Sequence, residues 1–135
     1  MNTKVIGWIE DVSLPLLNLG TIKAKMDTGA KSSALHAESI KYLEIDNKKY
    51  VSFSFAQEDG QESILQALFV GERSVKSSTG QVTVRPVINT IIKIGSDEFD
   101  IEFTLINRSA MRYKIIIGRD ALRYKYIINP AEPTY

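Results

Sequence analysis

Apolar side chains recur at every second position through most of this chain, and many of them are β-branched. In Tyr50-Val51-Ser52-Phe53-Ser54-Phe55 the alternation is clean, as a strand with one buried face requires. The same period runs through 19–26, where Ile22, Ala24 and Met26 oppose Thr21, Lys23 and Lys25. Further strands are expected over 5–9, 64–70, 82–85, 87–94 and 99–106, with 33–36 a strand or a short turn. Ile115-Ile116-Ile117 is apolar throughout, so burial on both faces is expected. Turn formers separate these runs: proline in Leu14-Pro15-Leu16, then 27–31, Glu58-Asp59-Gly60-Gln61, Ser77-Ser78-Thr79-Gly80 and Gly95-Ser96-Asp97-Glu98. The last two are expected at hairpin tips. Only 119–124 is expected to be helical, and briefly; Asn129-Pro130 and Pro133 keep the tail extended. Many short strands with a turn every eight to twelve residues or about that specify an all-β closed barrel with one short C-terminal helix.

At 135 residues the chain is expected to form a single domain, 1–135, large enough for a continuous core. A net charge of +1 gives no general attraction to nucleic acid or membranes, and no aromatic residues interleave with a basic stripe. The charge is uneven, however. Residues 1–72 hold seven Lys/Arg against ten Asp/Glu, whereas 73–125 hold ten against five. A basic second half suits an acidic ligand or simply a solvated surface. With no cysteine, disulfides and thiolate chemistry are excluded. No run approaches the ~20 apolar residues of a membrane span. Glu10 and Asp11 stand where a signal peptide needs a longer apolar run, so the cytoplasm is the expected compartment.

Strand 19–26 delivers Asp27 straight into a turn, Asp27-Thr28-Gly29-Ala30. A carboxylate there is held rigidly beside main-chain N–H groups. Gly29 is free to take backbone shapes that other residues resist and lets the chain approach the carboxylate. Ala30 is small enough to pack beneath it, and Thr28 is suited to bonding across a pair of such loops. Alone, Asp27 fits equally an Asx turn that caps the backbone and does nothing more. Paired with a second carboxylate, it becomes chemistry. Two carboxylates at one site cannot both ionise easily, so one proton is shared. One then acts as general base on a water and the other as general acid, with no metal or cofactor required. The chain has one such triplet, so the partner carboxylate must come from a second copy, a homodimer. Ile115-Ile116-Ile117-Gly118-Arg119-Asp120 is the expected companion, a dry strand and a glycine laid against the loop.

Several motifs together carry a family resemblance. They are Gly7-Trp8, Leu14-Pro15, 24–30 around Asp27, Ser33-Ala34-Leu35-His36-Ala37, Arg85-Pro86-Val87, Phe103-Thr104-Leu105, Asn107-Arg108-Ser109-Ala110-Met111 and Ile117-Gly118-Arg119-Asp120-Ala121-Leu122. From about Ile6 to Tyr135 the chain resembles the bacterial retropepsin-like aspartic endopeptidases, a family that has often carried an ATP-dependent zinc protease label. The resemblance implies a retropepsin-type barrel, a homodimer, and a catalytic loop of Asp27, Thr28 and Gly29. It also implies a flap hairpin between about Val70 and Val87. Members often occur beside ATP-grasp glutamate ligases, and some are thought to cleave the polyglutamate tails those ligases attach.

One departure from the retroviral pattern stands out. There, an acidic residue four positions after the catalytic Asp pairs with the Arg of the Gly-Arg motif; here that position is Lys31. Arg119 must therefore pair elsewhere, with a carboxylate of the same chain or of the substrate. Arg73, Lys76 and Arg85 on the implied flap, with Ala30 and Lys31 past the turn, complete the expected substrate-binding set. Cations closing over a glutamate chain would form charge-assisted bonds. A barrel that grips an acidic peptide without cutting it uses the same cations, but then the intact Asp27-Thr28-Gly29 has no task. A zinc hydrolase would have to build its site on His36 and Glu38, in a chain with one histidine, whereas catalytic zinc takes three protein ligands, mostly histidine.

Overall fold

The computed structural model describes residues 3–57, 60–107 and 111–133. Glu58 and Asp59 of the expected turn, Arg108-Ser109-Ala110 of the 107–111 motif, and the ends Met1-Asn2 and Thr134-Tyr135 lie outside the described residues. Among the described residues, eleven strands and one four-residue helix form in the order β1 (Lys4–Gly7), β2 (Ile9–Leu14), β3 (Leu19–Met26), β4 (Ser33–His36), β5 (Glu38–Ile45), β6 (Lys48–Ala56), β7 (Glu62–Lys76), β8 (Val82–Ile94), β9 (Asp97–Ile106), β10 (Ile115–Ile117), α1 (Arg119–Leu122) and β11 (Tyr126–Asn129). Strands β2-β3-β10-β4-β9-β8 run in that order around a barrel, and a β2–β8 pairing closes it. The expected all-β closed barrel with one short helix near the C-terminal end is therefore the fold found.

The core follows from the period-two pattern. Ala24, Leu35, Phe103, Ile115 and Ile117 are buried inside, with Val51, Phe53 and Phe55 continuing the core beneath the β7-β6-β5 extension. Short β10 sits between β3, parallel to it, and β4, antiparallel. Ile115 and Ile117 are buried in the core, but Ile116, on the other face, is half-buried, so the burial expected on both faces is complete on one.

The turn expected at Leu14-Pro15-Leu16 is a single 3-10 turn, Pro15–Leu17. Three details differ from the expected elements. The run 5–9 is broken at Trp8 into β1 and β2. Strand β5 was not expected, because six of its eight side chains are exposed and carry no alternation. Its hairpin with β6 turns on Asp46 and Asn47, both at positive φ (52° and 66°), the backbone a two-residue hairpin loop requires. Lastly, β8 runs unbroken through Pro86, which pairs with Glu72 beside a bulge at Phe69/Gly71. Proline lacks an N–H, and the nearby irregularity accommodates that loss.

Strand β1 pairs with β11 in parallel, a small sheet outside the barrel. Beyond it the tail wraps its own chain: Trp8 N–H donates to the Glu132 carbonyl at 3.1 Å and Ile9 N–H to that of Pro133 at 2.7 Å. Asp97 ties this sheet to the β8–β9 turn. It accepts from Lys4 Nζ and from the Tyr126 hydroxyl, each at 2.8 Å. These two bonds, that of Lys4 foremost, hold the Asp97 carboxyl below the usual range. Burial, and then the bond to Asp97, push the Tyr126 phenol above its own.

Candidate active site

Asp27 leaves the end of β3 with its own N–H bonded to the Ile117 carbonyl at 2.8 Å. β10 thus anchors the base of the loop directly. The loop then folds back on itself. Gly29 N–H donates to Asp27 Oδ1 at 3.0 Å, and Ala30 N–H to the Asp27 carbonyl at 3.2 Å. This is an Asx turn, but one whose carboxylate is half-buried and opens into a cleft. Gly29 has no positive φ, so its value is proximity rather than the unusual backbone expected. A Cβ there would stand 3.2 Å from Asp27 Oδ1.

The second brace is Gly118, at the start of α1. Its N–H donates to the buried Ser33 Oγ at 3.0 Å. A Cβ on Gly118 would lie 2.6 Å from both the carbonyl carbon and the oxygen of Ser32 and 3.0 Å from the Ala30 oxygen. No side chain fits. The next two N–H groups, of Arg119 and Asp120, bond the Ala30 and Lys31 carbonyls at 2.8 and 2.9 Å. Among the described residues Arg119 finds its partner in a main-chain oxygen rather than a carboxylate: its Nη1 donates to the Thr28 carbonyl at 2.8 Å. A main-chain oxygen takes the place of the acidic side chain that Lys31 displaces. The guanidinium thereby holds the Asp27 turn from behind.

The hairpin formed by the far arms of β7 and β8 stands over this loop, its tip at 77–81 closed by Ser77 N–H to the Gln81 carbonyl at 2.8 Å. Between hairpin and loop lies an open cleft of about 780 Å³. Asp27, Gly29, Ala30 and Lys31 line one side, and Arg73, Lys76 and Arg85 the other. Of the nine expected site residues, seven therefore share one space; Thr28 is exposed beside Asp27, and Arg119 lies behind the loop. Asp27 is the one carboxylate among the described residues lining the cleft.

Two residues that support the site, Ser33 and Thr104, stand in the family motifs but had no role of their own assigned from the sequence. Ser33 receives the Gly118 N–H, and Thr104 Oγ1 donates to the Ser33 carbonyl at 3.3 Å. Nothing in a lone serine at the start of a strand signals this; it becomes visible only when β4 is laid between β10 and β9. His36 is buried, 2% exposed, with Nε2 3.8 Å from Glu38 Oε1. Among the described residues no three His, Cys, Asp or Glu side chains gather in a metal-binding arrangement.

A closed six-stranded barrel with an Asp-Thr-Gly loop braced by an Ile-Gly-Arg strand defines the retropepsin-like class. Comparison with known proteins makes this specific. A sequence model of the retropepsin-like aspartic endopeptidase RimB matches residues 5–134, and the chain belongs to this RimB-like family. A solved Legionella pneumophila protein of unknown function superposes with a TM-score of 0.81 at 32% identity, covering 98% of this chain and 96% of that one. Curated relatives include proteins named probable alpha-L-glutamate ligase. One from Desulfotalea psychrophila is 37% identical over 95% of this chain and 28% of its own length. Another, from Shewanella halifaxensis, is 32% identical over 97% and 29%. The chain thus spans less than a third of the curated relatives it matches.

Proposed function

We propose that this chain is an aspartic endopeptidase that works as a homodimer, with one Asp27 from each copy facing a single water. What supports this most is the setting of Asp27: a half-buried carboxylate on a loop braced from two sides, open to a cleft beneath a hairpin. Alone, it has no second carboxylate in the cleft with which to share a proton. Twofold symmetry supplies one. The ionised Asp27 removes a proton from water as the water attacks the peptide carbonyl carbon. The protonated partner gives its proton to the carbonyl oxygen, and the tetrahedral intermediate collapses as the amine leaves with a proton. Thr28, exposed at the loop's crest, bonds across the pair. Gly29 and Ala30 shape the floor, and Arg119 holds the turn in register.

The cleft's charge indicates the substrate class. Lys31, Arg73, Lys76 and Arg85 face a peptide lying against Asp27, so acidic side chains gain charge-assisted bonds there. The ligase name carried by much longer relatives supports the same idea: a protease working beside an ATP-grasp glutamate ligase, on glutamate-rich peptides. The test is hydrolysis of a glutamate-rich peptide, with and without excess chelator, by the native chain and by Asp27→Asn. The native chain cuts in chelator and the variant does not. Peptide binding without cutting across roughly pH 4 to 8, where a shared carboxylate proton is active, would replace the enzyme with a binding barrel.

A further inference from the structure

Arg73 on β7 and Arg85 on β8 are direct cross-strand partners in the flap hairpin, and both line the cleft. Side chains so placed have Cβ atoms about 5 Å apart, and like charges there repel. The structure shows how this is relieved. Arg73 Nη2 donates to Glu102 Oε1 at 2.9 Å, while Arg85 Nε donates to Thr83 Oγ1 at 3.1 Å. Glu102 lies on β9, two positions before Thr104, which lines the same cleft. Beside it a smaller pocket of about 210 Å³ adjoins the cleft, and Arg73 and Ser32 line both. That pocket is acidic, with Asp100, Glu102 and Asp120 on its walls. Arg73 therefore stands at a fork: acidic side chains of its own chain on one side, the substrate cleft on the other.

We propose that Glu102 is a specificity-determining residue that competes with the substrate's acidic side chain for Arg73. This deepens the acidic-substrate part of the proposed function and rests on it. With the cleft empty, Glu102 occupies Arg73. A substrate carboxylate entering between Arg73 and Arg85 takes over the first and offsets the repulsion between the two. The exchange trades one exposed ion pair for another, since the Arg73 and Glu102 side chains are 39% and 48% exposed. A neutral side chain has nothing to offer Arg73 and leaves it with Glu102. Acidic ligands consequently bind with a gain net of the pair they break. Removing the Glu102 charge should tighten them by what an exposed pair is worth, about two- to fivefold.

The test reads binding without cutting. In an Asp27→Asn background, fluorescence anisotropy measures the affinity for a labelled glutamate homopeptide and for its glutamine counterpart. Glu102→Gln is expected to tighten the glutamate peptide two- to fivefold, or about that, relative to the glutamine one. Arg73→Ala weakens it, and in that background Glu102→Gln no longer has an effect. Weaker or unchanged glutamate binding in Glu102→Gln, with or without a fall in melting temperature, overturns the proposal, because a merely structural pair would act that way. So does an equal gain when Arg73 is absent, which would be a general charge effect. A native chain that fails to cut any peptide would remove the protease and leave this binding result standing.

Discussion

Gly118→Ala is the substitution that most sharply separates contact from conformation at the Asp27 loop. Gly118 has φ −94° and ψ 177°, a backbone that alanine adopts without strain. Every cost must therefore come from the new methyl group. It would meet main-chain atoms of Ser32 at 2.6 Å and of Ala30 at 3.0 Å, and backbone cannot swing aside as a side-chain tip can. Overpacking of this kind costs about 1–3 kcal/mol. For a chain of this size that is a fall in melting temperature of roughly 3–5 °C per kcal/mol. The displaced segment is the one that carries Asp27, and a misplacement on the order of 1 Å costs about 10²-fold in rate. The assay is a thermal melt paired with peptide hydrolysis. Gly20→Ala serves as control, since a Cβ there meets nothing within 4 Å. A Gly118→Ala protein that melts and cuts like the native chain would refute the close approach of Gly118 to the main chain at Ala30 and Ser32.

Ser33→Ala strips the buried Gly118 N–H of its acceptor and should cost about 1–3 kcal/mol, read by denaturant unfolding. Arg119→Ala removes the bond to the Thr28 carbonyl; kcat should fall more than KM rises, and Arg119→Lys should recover part of it. The Lys4–Asp97–Tyr126 cluster makes a two-sided pH prediction. Asp97 is held low, so its contribution is present above the ordinary carboxylate range and disappears as pH falls through its folded value. Tyr126 is held high, so its contribution is complete below about pH 10 and declines as pH rises above that. Tyr126→Phe should flatten the alkaline limb of a melting-temperature profile; an unchanged limb would place the alkaline sensitivity elsewhere.

The barrel was legible because its strands alternate, and the loop because its chemistry is local. Leu19 to Met26, the Asp27 turn and the Ile115–Ile117 strand lie where the pattern puts them, although Ile116 is half-buried and lines the cleft. Strand β5 was invisible because an edge strand with exposed side chains has no apolar period to show. Pro86 concealed the continuity of β8, since a bulge one strand away is a tertiary event. The partner of Arg119 was equally hidden: a main-chain carbonyl has no letter in a sequence. The same holds for Glu102, whose side chain on β9 meets Arg73 on β7 although the strand register sets the two off from each other.

In the proposed homodimer each working site needs two copies of Asp27. Native chain is mixed with Asp27→Asn chain at fixed total concentration, allowed to exchange subunits, and assayed for peptide hydrolysis. If both carboxylates are required, activity falls as the square of the native fraction, to about a quarter in an equal mixture. A fall only to about half, as for copies that act independently, or to about three quarters, as when one Asp27 per dimer suffices, would contradict the account.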